Sequence, residues 1–329
     1  MARYHFFGGK GGVGKTTVSC AHAVNCAEAG LETLVVSTDP AHSTADVFDQ
    51  QFGDEPRPVE GYDDLSAMEI DPEREVQAHL QDLRRQLGNQ LSPAMVNEID
   101  VQLEMAHQTP GAYEAAMFDR FVEVMRESDP YDRVVFDTSP TGSTLRQLAL
   151  PDLLERWIDR LAAKRELSID RFEKAAIGNQ EPRRLLDGDP ILARLQERKE
   201  QFAYAGETLR ESADFYLVLN PDELSIRETS RSVETLGDAG LHVRGLVVNR
   251  LTPEPDPDEE GRGASYLRRR VATERDRLDR IDAAFEVPVV AAIETRVEEV
   301  RGDILEDVAA NLGVEVDGGV RTGGGAGAD

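Results

Sequence analysis

The chain has 329 residues, 63 of them acidic and 37 basic, with a formal net charge of −26 and a pI near 4.6. So acidic a surface repels phosphodiester backbones, which excludes a nucleic-acid partner, and no apolar run reaches the roughly 18 residues of a membrane span. Only five basic residues are lysine (Lys10, Lys15, Lys164, Lys174 and Lys199); such an acid-rich, lysine-poor composition suits a high-salt cytoplasm, where screening removes much of the self-repulsion.

The chain enters at once on an apolar run, "RYHFFG" (3–8). That start leaves no room for a signal peptide, so a soluble cytoplasmic protein is expected. "GGKGGVGKTT" (8–17) follows, and the next segment reads as a helix carrying Cys20 and Cys26. Six residues apart, these two thiols lie on different faces of that helix and read as packing residues in a reducing compartment. Further strands are predicted over 32–38, 65–71, 132–137, 214–220, 243–249 and 286–292. Several are nearly continuous apolar runs, as expected of a parallel sheet covered on both faces.

Two stretches carry only helical patterns. Over about 73–128, Val76, Leu80, Leu83 and Leu87 form one stripe, Met95, Ile99 and Leu103 a second, and Tyr113, Met117, Phe121 and Val124 a third. Over about 151–212, Leu153, Trp157 and Leu161 share a face, as do Ile191 and Leu195. Both stretches are expected to pack together as a helical subdomain. The fold class is therefore α/β: a doubly wound, mostly parallel sheet within one domain over 1–313. Residues 252–263 read as a solvated acidic loop and 314–329 as a disordered glycine-rich tail.

A glycine loop between a strand and a helix is the context of a phosphate-binding loop. Gly9, Gly11, Gly12 and Gly14 let backbone N–H groups, with that of Val13, converge on phosphate oxygens, and the helix N-terminus adds partial positive charge. Lys15 is expected to bridge the outer phosphates of ATP, Thr16 to ligate Mg2+, and Thr17 to complete the first turn. Lys10 has no task in an ordinary loop of this kind. Two strand ends offer carboxylates: Asp39 in "STDPAHST" as the residue that orients the attacking water, and Asp137 in "DTSPTGSTLR" acting through metal-bound water or the switch backbone. Each is alternatively a strand-end turn with a capping aspartate.

"GGKGGVGKTT" resembles the deviant phosphate loop of the MinD, ParA and nitrogenase-iron-protein class. With "STDPAHS", "AMEIDP", "DTSPTGSTLR" and "NPDELSIRET", nearly the whole chain resembles the ArsA ATPase family. That family includes an arsenite-pump ATPase and a targeting ATPase for tail-anchored membrane proteins. The resemblance implies a homodimer in which Lys10 reaches the partner's nucleotide and Asp39 is catalytic. It also implies that Asp222 is an acidic nucleotide contact and that Asn249 recognises adenine. The segment 293–302 resembles the loop that closes over the base. Transmembrane helices of tail-anchored clients and a membrane receptor would be the partners.

Three departures stand out. Ser143 takes the place of a switch histidine, the Cys-x-x-Cys pair that binds zinc in many targeting factors is missing, so no zinc is expected, and arsenite-binding cysteines are missing too. Targeting is thus the leading expectation. A metalloid-efflux subunit or a positioning ATPase of the MinD or ParA kind is the alternative.

Overall fold

The computed structural model describes residues 2–38, 43–71, 74, 75, 77, 78, 112–137, 159, 163, 190–314 and 316. Eight strands form one sheet: β1 (Tyr4–Gly9), β2 (Thr33–Ser37), β3 (Arg57–Pro58), β4 (Leu65–Glu69), β5 (Arg133–Asp137), β6 (Ala213–Leu219), β7 (Val243–Leu251) and β8 (Val289–Glu294). Their order is β3-β4-β2-β5-β1-β6-β7-β8. Every pairing is parallel except that of β3 with β4. All seven expected strands are present, with ends shifted by at most three residues. The sequence reading missed β3, a two-residue edge strand containing Pro58, which is too short for any periodicity and sits where proline is tolerated.

Seven helices are described: α1 (Lys15–Glu28), α2 (Ser43–Phe48), α3 (Ala112–Glu127), α4 (Pro190–Ser212), α5 (Glu223–Asp238), α6 (Arg262–Ala284) and α7 (Asp303–Ala310). The continuous apolar strands are explained by two cores, one on each face. Phe6, Val36, Phe136, Phe215 and Val248 point into the first, with side chains of α3, α4, α5 and α6. Phe7, Val35, Val135, Val218 and Val247 point into the second, beneath α1 and α7. Phe6 stacks on Phe136 and Phe215 at 4.5 and 4.9 Å, so the aromatic ladder ties β5, β1 and β6 together under the loop that follows β1. Truncating such a ring to alanine costs about 3–5 kcal/mol.

The two helical stretches do meet: Phe118 and Val122 of α3 pack on Phe202 and Ala205 of α4. Met117 and Met125 are buried in the main core, so these two methionines are packing residues. Met95, Ile99 and Leu103, the second stripe, lie outside the described residues, as does most of both stretches.

A polar chain runs through the base of β1 and α1. Arg133 donates to the carbonyl of Ala2, to Nε2 of His5 at 2.6 Å and to the carbonyl of Val316 at 2.7 Å. His5 Nδ1 lies 2.7 Å from Nε2 of His22. Because His5 Nε2 accepts from Arg133, its proton sits on Nδ1 and is donated to His22 Nε2. The His22 proton then sits on Nδ1, an atom with no hydrogen-bond partner among the described residues. Burial first, then the charges of His22 and Arg133, pull His5 well below the ordinary histidine pKa. Burial and Arg133 bring His22 down to about 3.

Candidate functional site

Strands β1 and β6 lie side by side, yet the chain leaves β1 toward β2 and leaves β6 toward β7. Their following loops diverge and open a crevice at the C-terminal edge of the sheet, the usual ligand position in such sheets. The loop Gly9–Gly14 fills one wall of it. Gly9 has φ 144°, and a Cβ there would stand 2.2 Å from the Val218 carbonyl oxygen. Gly14 precedes α1 at φ 92°, and its Cβ would stand 2.3 Å from Asn249 Nδ2. Backbone angle favours glycine at both positions, and at Gly9 the fixed backbone carbonyl leaves no space for a side chain either.

The described residues among those named from sequence are positioned as follows. Lys15 opens α1, is 7% exposed, and reaches Nζ back to within 3.3 Å of the Lys10 carbonyl. Thr16 Oγ1 donates to Asp137 Oδ2 at 2.7 Å, and Ser37 Oγ donates to the same oxygen at 3.3 Å. Val13 is buried, while Gly11 and Gly12 are exposed at the tip. Asn249, near the end of β7, donates from Nδ2 to the Val13 carbonyl at 2.8 Å and accepts from Arg250 N. Thr17 and Asn249 line a narrow cleft of about 160 Å³ with Ile293, Thr295, Arg296 and Val300. Sequence reasoning had named the segment 293–302 but no residue in it.

Asp222 caps α5. Its Oδ1 accepts from Ser225 N and its Oδ2 from Ser225 Oγ, both at 2.9 Å. Burial raises this carboxyl, but hydrogen bonds from Ser225 and Leu224 and the charge of Lys10 outweigh it, and the net shift is below the ordinary aspartate pKa. Lys10 points away from the loop interior, with Nζ 3.9 Å from Glu228 Oε2 on α5. Glu228 was present in the quoted "NPDELSIRET", but nothing in its spacing announced the pairing. Asp39 and Ser143 lie outside the described residues. The flanks of Asp39 are anchored: Thr38 N donates to the Asp137 carbonyl, and Ala45 N of α2 donates to the buried Glu69 carboxylate.

The donor set suits a nucleotide with a hard cation. Glycine amides, a buried ammonium and a helix N-terminus make an anion cradle. Thr16, Asp137 and Ser37 supply converging oxygens of the kind Mg2+ accepts alongside phosphate oxygens and water. No group of three His, Cys, Asp or Glu side chains among the described residues could hold a metal by itself. Cys20 and Cys26 are buried in α1; burial pushes Cys26 up to about 12 and raises Cys20 as well.

Fold and loop together define a P-loop nucleotide-hydrolysing α/β protein. A family model described as anion-transporting ATPase matches residues 2–313. The chain is 36% identical over 308 residues to ATPase get3 of Neurospora crassa, covering 91% of this chain and 87% of that one. It is 33% identical over 306 residues to ATPase get3 of Aspergillus terreus, covering 91% and 87%. It is 35% identical over 308 residues to ATPase GET3 of Chaetomium globosum, covering 91% and 86%. The chain belongs to the ArsA ATPase family, and its chemistry is ATP hydrolysis.

Proposed function

We propose that the protein works as a cytoplasmic homodimer whose two ATP sites face each other, and that its nucleotide cycle delivers tail-anchored membrane proteins to a receptor at the membrane. The observation that carries the dimer is the division of labour between two lysines on one loop. Lys15 is buried inside the loop, whereas Lys10 projects outward to Glu228. That pair is 3.9 Å long and more than a third exposed at both ends. It contributes little to stability, so Lys10 is easily redirected to a second copy's phosphates. The relatives' name, ATPase get3, supports the targeting role.

Within each subunit, the loop amides, Lys15 and Thr17 bind the phosphates. Asn249, now bonded to the loop carbonyl, turns to the adenine edge, with the 293–302 segment beside it. Thr16 holds Mg2+, which neutralises phosphate charge when bound, and Asp137 holds Thr16. Asp39 orients the attacking water, and Asp222 contacts the nucleotide while fixing the start of α5. Residues 1–313 form one ATPase domain in which the helical stretches 73–128 and 151–212 make a client-binding subdomain, supported by the packing of α3 on α4. No helix among the described residues is long and apolar enough to cross a membrane. Metalloid efflux is disfavoured by Cys20 and Cys26, which are buried in protonated form on one helix.

Light scattering after size exclusion tests this reading. With ATP and a peptide ending in an apolar helix, the wild type elutes as two subunits with the peptide. Lys10→Ala binds ATP but neither hydrolyses it nor forms that complex. Full turnover by Lys10→Ala would refute the cross-subunit role, and a dimer that never retains the peptide would refute targeting.

A further inference from the structure

Beside the nucleotide crevice lies a larger cleft of about 710 Å³, walled by the Asn220–Asp222 turn, Arg250 and one flank of α6. In a chain of net charge −26, α6 carries seven arginines against four acids. Most of the arginines on its other flanks are engaged. Arg268 donates to carbonyls of the 252–263 loop, Arg275 to Glu254, and Arg280 to Glu223. Of the four arginines that line the cleft, only Arg270 is paired, with Glu274. Arg250 and Arg269 meet no carboxylate among the described residues, and Arg277 spends one N–H on the Pro221 carbonyl.

The two carboxylates on the wall balance only part of this charge. Asp222 is occupied by Ser225 N and Oγ. Glu274 accepts from Thr252 N and Oγ1 at 2.7 and 2.8 Å and from Arg270 Nε at 2.9 Å. Arg250 also sits at φ 62°, a left-handed conformation uncommon for a side chain of this size. Four guanidinium groups against two carboxylates thus leave the cleft with a net positive charge, and Arg250, Arg269 and Arg277 make no ion pair among the described residues.

The cleft is elongated. Tyr266, Arg269, Arg270, Thr273 and Arg277 recur at three- and four-residue spacing, so they form one stripe along α6. From 266 to 277 the stripe runs about 16 Å. That is the length of about five residues of extended chain. A small anion would engage one end of it, whereas a peptide with acidic side chains engages all three arginines and can lay a backbone against the exposed Tyr266 ring.

We infer that this arginine-lined cleft is a docking site for an extended acidic segment of a partner protein. Guanidinium groups pair carboxylates through two parallel hydrogen bonds, a contact that survives salt better than long-range attraction.

The test uses the full chain and a fluorescein-labelled hexaglutamate peptide, followed by anisotropy at fixed salt. Saturable binding is expected. Arg269→Ala weakens it about tenfold, the loss of one charge-assisted contact, while Arg269→Lys restores part of it and both variants hydrolyse ATP at the wild-type rate. Absence of saturable binding, or undiminished binding by Arg269→Ala, overturns the proposal. With the phosphate loop saturated by ADP, tripolyphosphate that displaces the peptide as effectively as unlabelled peptide would overturn the proposal and make the cleft a phosphate site. Loss of ATP hydrolysis in Arg269→Ala would assign the arginine to the nucleotide.

Discussion

Acid should unfold this protein through two histidines at the root of its phosphate loop. His5 on β1 and His22 on α1 are held neutral by the chain Arg133 → His5 → His22. A second proton on His5 would face the Arg133 N–H, and one on His22 would face the His5 N–H. In the unfolded chain both rings protonate near pH 6.5. The folded state therefore binds fewer protons, and stability falls as pH falls below about 6.5, continuing for His22 down to its folded pKa of about 3. Between pH 8 and pH 5 His22 alone removes about 2 kcal/mol, at roughly 1.4 kcal/mol per pH unit. His5 acts in the same direction. Denaturant unfolding followed by far-UV circular dichroism, at constant salt and at several pH values from 8 to 5, measures the loss. Staying at or above pH 5 keeps most carboxylates ionised, so their titration adds little. His22→Gln keeps a hydrogen-bonding group against His5 without titrating. Its stability at pH 8 is not the readout; its pH slope is, and the loss to pH 5 should shrink by about 2 kcal/mol. An unchanged slope in His22→Gln, or equal wild-type stability at both pH values, would refute the proton accounting.

Two further predictions concern the site itself. Gly9→Ala drives a methyl group into the Val218 carbonyl, which belongs to a central strand and cannot yield. It should cost at least about 2 kcal/mol, seen as a fall of several degrees in Tm, and abolish ATP binding; an unchanged Tm with normal binding would contradict the packing. Asp39→Asn should retain ATP while lowering the hydrolysis rate at least about a hundredfold in single-turnover assays, and rapid hydrolysis by the variant would remove Asp39 from the water-positioning role.

Chemistry carried on contiguous residues was legible in the sequence. "GGKGGVGKTT" contains the glycines, the lysine and the hydroxyl expected of a phosphate loop within ten residues, because such a loop is a local structure. The parallel sheet was legible too, since strands buried on both faces must be apolar throughout. What spacing alone could not announce were contacts between segments far apart in the chain. Asn249 meets Val13 across 236 positions, and Thr16 meets Asp137 across 121. The loop and strand-end reading had named Thr16 and Asp137, and the resemblance Asn249, without their contacts. The pairing of Lys10 with Glu228 had no sequence signal at all.

The histidines mark the same boundary from the other side. His5 lies in an apolar strand and His22 in a helix, and neither has a motif around it. Only strand order, which puts β5 with Arg133 beside β1, makes them a buried proton-excluding chain. The arginines of α6 were visible as charges in sequence, but whether each was satisfied depended on which carbonyls and carboxylates the fold brought to it. The sequence by itself determined the class of chemistry and the sheet that carries it, because both are written in local pattern. Tertiary structure alone decided which charges are spent on the fold and which remain for a ligand, because pairing depends on distance in space and not along the chain.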